Sequence, residues 1–517
     1  MASEVLTSRA TPLGVLRGAF VLALIAATGL AAIAPFLVLA AVAGGLAFVF
    51  CCSERRFKYA LFALAAYTPF EEFLLKWIPD DLFFYARFGV YGFMAAGMGV
   101  ILLRRLVEGR PLWIRTPLDL PLALFLLVSL FSLVVNEIPF GAFLFSYQPM
   151  LRFVVLAFYA VQFVDFSERD TRRLLLLLAA VVTAEALIGM AQSAIGLPAS
   201  EFLAPTVREF MGFEAGGMTQ LVQEGHFNVF GTMNRYNTLG AFMAMAIVMS
   251  IPFYPSVGRR GAIRYLVFLL VAGVCLVLAN ARAPWLGLAI ATCFIFAMQG
   301  KLKAVVLPMV GALLVYAALI MFADQVTVYG WDETNALQRF LEPFSGEYRQ
   351  QMTRQFGRIY YMTLFPFDLL AYQVSTFLIG FGPGSLGTRA QDIYDLYALT
   401  PLGIMREWQF YVCDVNWAYI LGQVGLVGLS IFVWGLLRIF AVAVKTYRYT
   451  ADAFLKKLAL GYAGLFVLAM VLACFFPMFE MRPLSLYFWL FGGILLKLVR
   501  QGNPSTQTIE KPVDNPV

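Results

Sequence analysis

Apolar runs of 15 to 24 residues recur along nearly the whole chain, and each is long enough, or nearly so, to cross about 30 Å of hydrocarbon as a helix. Lipid offers no partners to a backbone, so segments of this kind span as helices that satisfy their own polar groups. With 61% hydrophobic residues, 13% charged and a mean hydropathy of +0.78, the chain excludes a soluble domain. Candidate spans fall at 19–33, 35–51, 58–72, 83–104, 119–136, 150–165, 174–196, 237–254, 264–280, 284–299, 303–323, 417–440, 457–476 and 484–499. A merged first pair, or a break at Pro69, reduces these fourteen to twelve or thirteen. The expected fold is therefore all-α, a polytopic transmembrane bundle of 12–14 spans. No linker divides it, so 1–500 reads as one domain and 501–517 as a disordered cytoplasmic tail. The first forty residues read as an uncleaved first helix, because a second apolar segment follows at once.

Basic residues cluster in alternate loops: Arg55, Arg56 and Lys58; Arg104, Arg105, Arg110 and Arg115; Arg169, Arg172 and Arg173; Arg259, Arg260 and Arg264; Lys301 and Lys303. By the positive-inside rule these loops and both termini face the cytoplasm. This places 25 of the 38 basic residues inside and 20 of the 31 acidic residues outside. The formal charge of +7 then reflects orientation against anionic headgroups of the bilayer, and no nucleic-acid partner is expected. Outside, the loop 324–416 exceeds any ordinary connection and is expected to carry chemistry. Its segment FLIGFGPGSL, Phe377 to Leu386, is an apolar run breaking into glycines, and predicts backbone packed against the bundle or dipping into it. Six scattered cysteines and a single histidine, His226, provide neither a disulfide framework nor a zinc spacing, so no metal and no cofactor is expected.

Twelve arginines and one lysine fall on the outer face, against seventeen and eight inside. The planar guanidinium pairs bidentately with phosphate or carboxylate, so this bias points to an anionic ligand, with salt bridging to the outer acids as the competing reading. Arg282, in NARAP, is pinned at the outer rim between two apolar spans. Arg354 and Arg358 share a helix face by spacing, and Arg235 stands before a span whose first turn holds Asn237. Asp414 and Asn416 precede a helix starting near Trp417 and read either as caps or as a carboxylate base with its helper. Glu407 is a second candidate base. Glu185, in mid-span, has either a functional role or a hydrogen bond to a neighbouring helix. Glu480 and Arg482, in the turn FEMRP, read as a charge pair. The string GPGSLG matches a dinucleotide fingerprint in letters only, without the strand and helix that give it meaning.

Between residues 230 and 440 the chain resembles the O-antigen ligase and O-antigen polymerase superfamily of bacterial envelope glycosyltransferases. The resemblance rests on FGTMNRYNTLGAF, LANARAPWLGL, GRIYYMTLF followed by IGFGPGSLG, and DVNWAYILGQVGLVGL, in that order and on one side of the membrane. It implies a GT-C-like bundle in the bacterial inner membrane that moves a glycan from undecaprenyl diphosphate to an acceptor glycan or glycolipid, without metal and with inversion. Arg282, Arg358, Arg354 and Arg235 would hold the diphosphate, Asp414 would take the acceptor's proton and Asn416 would assist. Ligases of this family carry histidine where Asp414 stands, which favours a polymerase over a ligase. Other polysaccharide-assembly proteins are the further partners it implies. A transporter or flippase of lipid-linked oligosaccharides is the alternative of another class.

Overall fold

The computed structural model describes residues 44–210, 213–215, 228–256, 258–301, 303, 353, 357–388 and 390–502. The expected spans at 19–33 and 303–323, most of 35–51, the loop 324–352, Arg354, His226 and the tail after 502 lie outside these residues. Helices comprise α1 (Phe57–Tyr67), α2 (Glu71–Leu75), α3 (Asp80–Val107), α4 (Asp119–Val135), α5 (Phe140–Phe163), α6 (Glu168–Ile195), α7 (Leu197–Leu203), α8 (Tyr236–Ser250), α9 (Arg259–Leu278) and α10 (Arg282–Met298). They continue with α11 (Arg358–Thr363), α12 (Phe365–Tyr372), α13 (Val374–Ile379), α14 (Ala390–Tyr394), α15 (Arg406–Gln409), α16 (Asn416–Tyr449), α17 (Ala453–Leu472) and α18 (Arg482–Gln501). Among the described residues one antiparallel hairpin interrupts the helices, Arg208–Phe210 paired with Phe213–Ala215. Eight of the helices are long and apolar enough to span a bilayer, and α4 and α10 are shorter apolar helices. The architecture is a helical bundle compatible with a multi-pass membrane protein.

Local chemistry sets several helix ends. Ser167 and Asp170 form a capping box at the start of α6, Ser167 Oγ accepting from Asp170 N–H while Asp170 Oδ2 accepts from Ser167 N–H at 3.1 Å. Asp452 Oδ1 accepts from the N–H groups of Phe454 and Leu455 at 2.8 and 3.0 Å and opens α17. The inner layer is α8, α17 and α18, with 72%, 72% and 83% of their apolar windows buried, while only 17% of α9's is, which leaves α9 for lipid. Small residues let the inner helices approach closely: a side chain on Gly461 would meet Met249 O at 3.1 Å, and one on Gly493 would meet Phe158 O at 2.8 Å.

Two differences from the sequence reading shape the end of the bundle that carries the charged residues. The helix carrying Arg152 begins at Phe140, ten residues earlier than the apolar run alone indicates. Its first turns contain Ser146 and Tyr147, polar groups that turn inward and are buried; Pro149 is accommodated inside the helix, and a π-helical stretch follows at Val154–Tyr159. Arg152 therefore lies about three turns into that helix and is buried. The segment 228–235 also enters the bundle, because Gln192 Oε1 accepts from the N–H groups of Phe230 and Gly231 at 3.1 and 2.9 Å, and Glu185 binds Thr232.

The glycine-rich segment packs as its sequence predicts. Within α16, Gly425 has a non-helical conformation (φ 66°), and the carbonyls freed by that break receive bonds from the other segment: Phe381 N–H donates to Gly422 O at 2.8 Å and Gly382 N–H to Gln423 O at 3.0 Å. Ser132 on α4 closes the junction by donating to Ile379 O at 2.6 Å. Two broken helices thus satisfy each other's backbone, as a membrane interior demands. The approach leaves no room for side chains; a Cβ on Gly380 (φ 76°) would lie 2.3 Å from Gln423 C and O. We expect Gly380→Val to lower the melting temperature of the detergent-purified protein by several degrees, a cost of about 1–3 kcal/mol or more, and Gly89→Ala, with open space around it, to leave it near wild type. Scanning fluorimetry of the two variants checks this.

Candidate functional site

Charged side chains from seven segments, with Tyr91, gather at one end of the bundle. Glu71 and Glu72 come from α2, Arg87 and Tyr91 from α3, Arg152 from α5, Arg235 from the residue before α8, Arg358 from the start of α11, Asp414 from the turn before α16, and Glu480 and Arg482 from the connection into α18. The break at Thr68–Phe70, with Pro69 in it, is what turns Glu71 inward.

Arg482 is the hub. Its Nη1 lies 2.7 Å from Glu71 Oε1 and 3.2 Å from Glu72 Oε1, and Arg87 Nη2 approaches Glu72 at 3.4 Å. Tyr91 donates to Glu71 Oε2 at 3.0 Å. The expected pair of Glu480 with Arg482 is replaced by these contacts, because α2 brings two carboxylates to the first turn of α18. Burial works to raise both glutamates. Glu71, which is 1% exposed, ends raised, whereas Glu72 ends lowered, since Arg482, Arg87, Arg235 and Arg152 all act on it.

A second unit stands beside the first. Arg358 donates to Asp414 Oδ2 through Nη2 at 2.9 Å and through Nε at 3.3 Å. The side chains are 40% and 26% exposed, so the pair is reachable from outside. Asp414 does not cap the following helix. The helix starts at Asn416 with Val415 in the cap position and no side-chain bond there. Asn416 is no cap either: it is fully buried, its Oδ1 accepts from Phe479 N–H at 3.4 Å and its N–H donates to Ala473 O at 2.9 Å. The sequence pattern of caps misleads here because Arg358 and the α17–α18 connection supply stronger partners.

Of the other sequence candidates, Arg235 is exposed at the start of α8 and acts on both Glu72 and Cys413, so it borders the same site. Arg282 opens α10 half-buried and engaged by a partner, with Ala281 packed on Gly240 of α8. Asn237 is half-buried in the first turn of α8, and Glu407 is exposed on α15, away from the carboxylates above. Glu185 takes the structural option: its carboxylate accepts from Thr232 N–H at 3.1 Å and from the Thr232 hydroxyl, fixing the turn that leads to Arg235. Two outer cations are clamps. Arg208 Nη2 donates to the carbonyls of Leu75, Lys76 and Ile78, and Lys76 donates to those of Glu201 and Phe202.

The residues that sequence reasoning left out of the site are Glu71, Glu72, Arg152 and Glu480. A pair of acids directly after Pro69 in an apolar run was the one signal available for the first two. The assembled site has five arginines against four carboxylates, a setting for an anionic ligand. The chain matches no protein-family model and no curated protein.

Two outcomes follow from this geometry. Arg482→Ala leaves Glu71 buried without its cation and should cost about 3–5 kcal/mol, with Glu71→Gln in the same chain restoring much of the loss. Folded yield and melting temperature measure both. Burial, opposed by Tyr419 and Arg152, pushes the Glu480 carboxyl up to about 7. The unfolded chain releases that proton near 4.5 while the fold keeps it until about 7, so stability falls as pH rises through that window. Glu480→Gln should flatten this part of the stability profile; an unchanged slope would assign it to another group.

Proposed function

We propose that the chain is a membrane glycosyltransferase that moves a glycan from an undecaprenyl diphosphate carrier to an acceptor sugar hydroxyl, as an O-antigen or exopolysaccharide repeat-unit polymerase of the bacterial inner membrane. The observation that carries this reading is the Arg358–Asp414 pair, a guanidinium and a carboxylate open to the outside beside a cluster of further arginines. A lipid diphosphate leaves with its negative charge increasing, and fixed guanidinium groups stabilise such charge where a metal otherwise would. Arg358, Arg235 and Arg282 are the groups for this role, with Arg354 as the fourth on the sequence reading. Arg358 donates to Asp414 Oδ2 from Nε and from Nη2, which leaves Oδ1 outside that pair for the acceptor's hydroxyl. In the transfer the acceptor O–H gives its proton to a carboxylate, the oxygen bonds to the anomeric carbon, and the anomeric C–O bond breaks with its electrons passing to the diphosphate. Attack opposite the leaving group inverts the anomeric centre. A ligase differs only in taking a glycolipid as acceptor.

The paired helix breaks at Gly380 and Gly425 favour a second reading, a transporter of lipid-linked oligosaccharides, since broken helices line substrate sites in such proteins. The carbonyls at this junction accept from the N–H groups of Phe381 and Gly382 and from the Ser132 hydroxyl, and the titratable groups gather at one end of the bundle, which weighs toward the enzyme.

Incubation of purified protein with a defined lipid-linked repeat is the test. Arg358→Ala and Arg282→Ala should each reduce polymer formation about a hundredfold or more with melting temperature retained. Wild-type chain lengths in these variants would remove the arginines from the site. Full activity of Asp414→Asn would leave Asp414 only its bond to Arg358. Absence of transfer by the wild type, with flipping in reconstituted vesicles, would overturn the enzyme reading in favour of transport.

A further inference from the structure

Glu185, near the middle of α6, is fully buried. Among the described residues the Cys275 thiol of α9 is the titratable group beside it, and no cation acts on it. A carboxylate in this position would be a charge held away from water with no counter-charge, which costs far more than a neutral group with its hydrogen bonds made. The side chain nonetheless has a defined task. Two turns further along the same face Gln192 holds Phe230 and Gly231, and Glu185 holds Thr232, so α6 grips three consecutive residues of the entering segment. The fit is close: Gly231 has φ 58°, and a Cβ there would lie 2.5 Å from Glu185 Oε2.

The hydrogens around Thr232 can be counted. Glu185 Oε2 accepts from Thr232 N–H at 3.1 Å, while Thr232 Oγ1 contacts both Glu185 Oε1 and, at 3.2 Å, the carbonyl oxygen of Pro69. A threonine hydroxyl carries one hydrogen, and a backbone carbonyl only accepts. With Glu185 ionised, Thr232 Oγ1 stands between two acceptors with a single hydrogen for both, and one contact goes unmade. A proton on Glu185 Oε1 supplies the missing hydrogen. We propose that Glu185 is a neutral carboxylic acid acting as a latch: its Oε1–H donates to Thr232 Oγ1, and the Thr232 hydroxyl in turn donates to Pro69 O. These two bonds fasten α6 and the segment 228–235 to the break at Thr68–Phe70. Glu71 follows Pro69 by two residues and Arg235 follows Thr232 by three, so the latch sets where an acid and an arginine enter the site. Glu185 is on this account a positioning residue, and its role holds for an enzyme and a transporter alike.

Infrared spectroscopy of the full chain in detergent at about pH 7 reads this proton directly. The wild-type spectrum minus that of Glu185→Gln should contain the carbonyl stretch of a protonated carboxyl and lack a carboxylate stretch. Glutamine keeps an N–H donor for Thr232 Oγ1 and a carbonyl for Thr232 N–H, so this variant should hold the wild-type melting temperature. Thr232→Val removes the hydroxyl and keeps the backbone N–H. The acid O–H then loses its acceptor, so the band should move to higher frequency and the melting temperature fall by several degrees. Thr232→Ser, which retains a hydroxyl, should keep both near wild type. A carboxylate stretch in the first difference spectrum, in place of the acid band, would overturn the latch. So would an acid band that Thr232→Val leaves unmoved, because the proton would then lie on a bond other than the one to Thr232. Should Glu185→Gln fail to fold, the wild-type spectrum minus that of Thr232→Val decides: a shifted acid band upholds the latch, and no difference in that region refutes it.

Discussion

The contact between Arg482 and the two carboxylates of α2 is the constraint on which the outer end depends. A charge buried beside lipid must find its counter-charge inside the protein, and this pairing joins the last spanning helix to the short helix after α1. Once Arg482 is committed in this way, Glu480, two residues earlier, lacks the neighbour that its sequence position offers. The hydroxyl of Tyr419 on α16 supports it, and Arg152 on α5 lies within electrostatic reach. One ion pair thereby decides which charges are structural and which remain available.

The junction of α13 with the break in α16 is the other fixed point. Because water is excluded at that depth, the carbonyls of Gly422 and Gln423 need donors, and the segment after Gly380 supplies them. This holds the far end of the outer excursion against the bundle. The chain then returns through Leu386, which packs on Gly422, to the turn carrying Asp414. The position of Asp414 opposite Arg358 is in this sense anchored from below, by backbone hydrogen bonds that involve neither residue.

A site assembled from seven segments has parts of different exposure. Arg358, Asp414, Arg87 and Glu72 are accessible to a quarter or more, whereas Glu71 and Arg152 lie deep. By this grading the arginines fall into two sets, one accessible and one deep. The deep set is short of acceptors, and the outer set is nearly balanced by carboxylates.

Much of the fold was legible because hydrophobic length and capping preference are local quantities. The expected spans from 83–104 to 484–499 recur as helices wherever they are described, and Ser167 and Asp452 cap their helices as their residue types favour. The glycines of FLIGFGPGSL and the acid pair after Pro69 were also visible, one as a close approach and the other as an oddity. Partner choice was not. Asp414 and Asn416 read equally as caps, and Glu480 and Arg482 as a charge pair in a turn. By itself the sequence determined that the chain forms apolar helices of membrane-spanning length and how its charges alternate along the chain, since these follow from residue type and spacing. Only the tertiary structure decided that Arg358 holds Asp414 and that Arg482 takes Glu71 and Glu72, because pairing between distant helices depends on which faces the packing turns toward each other.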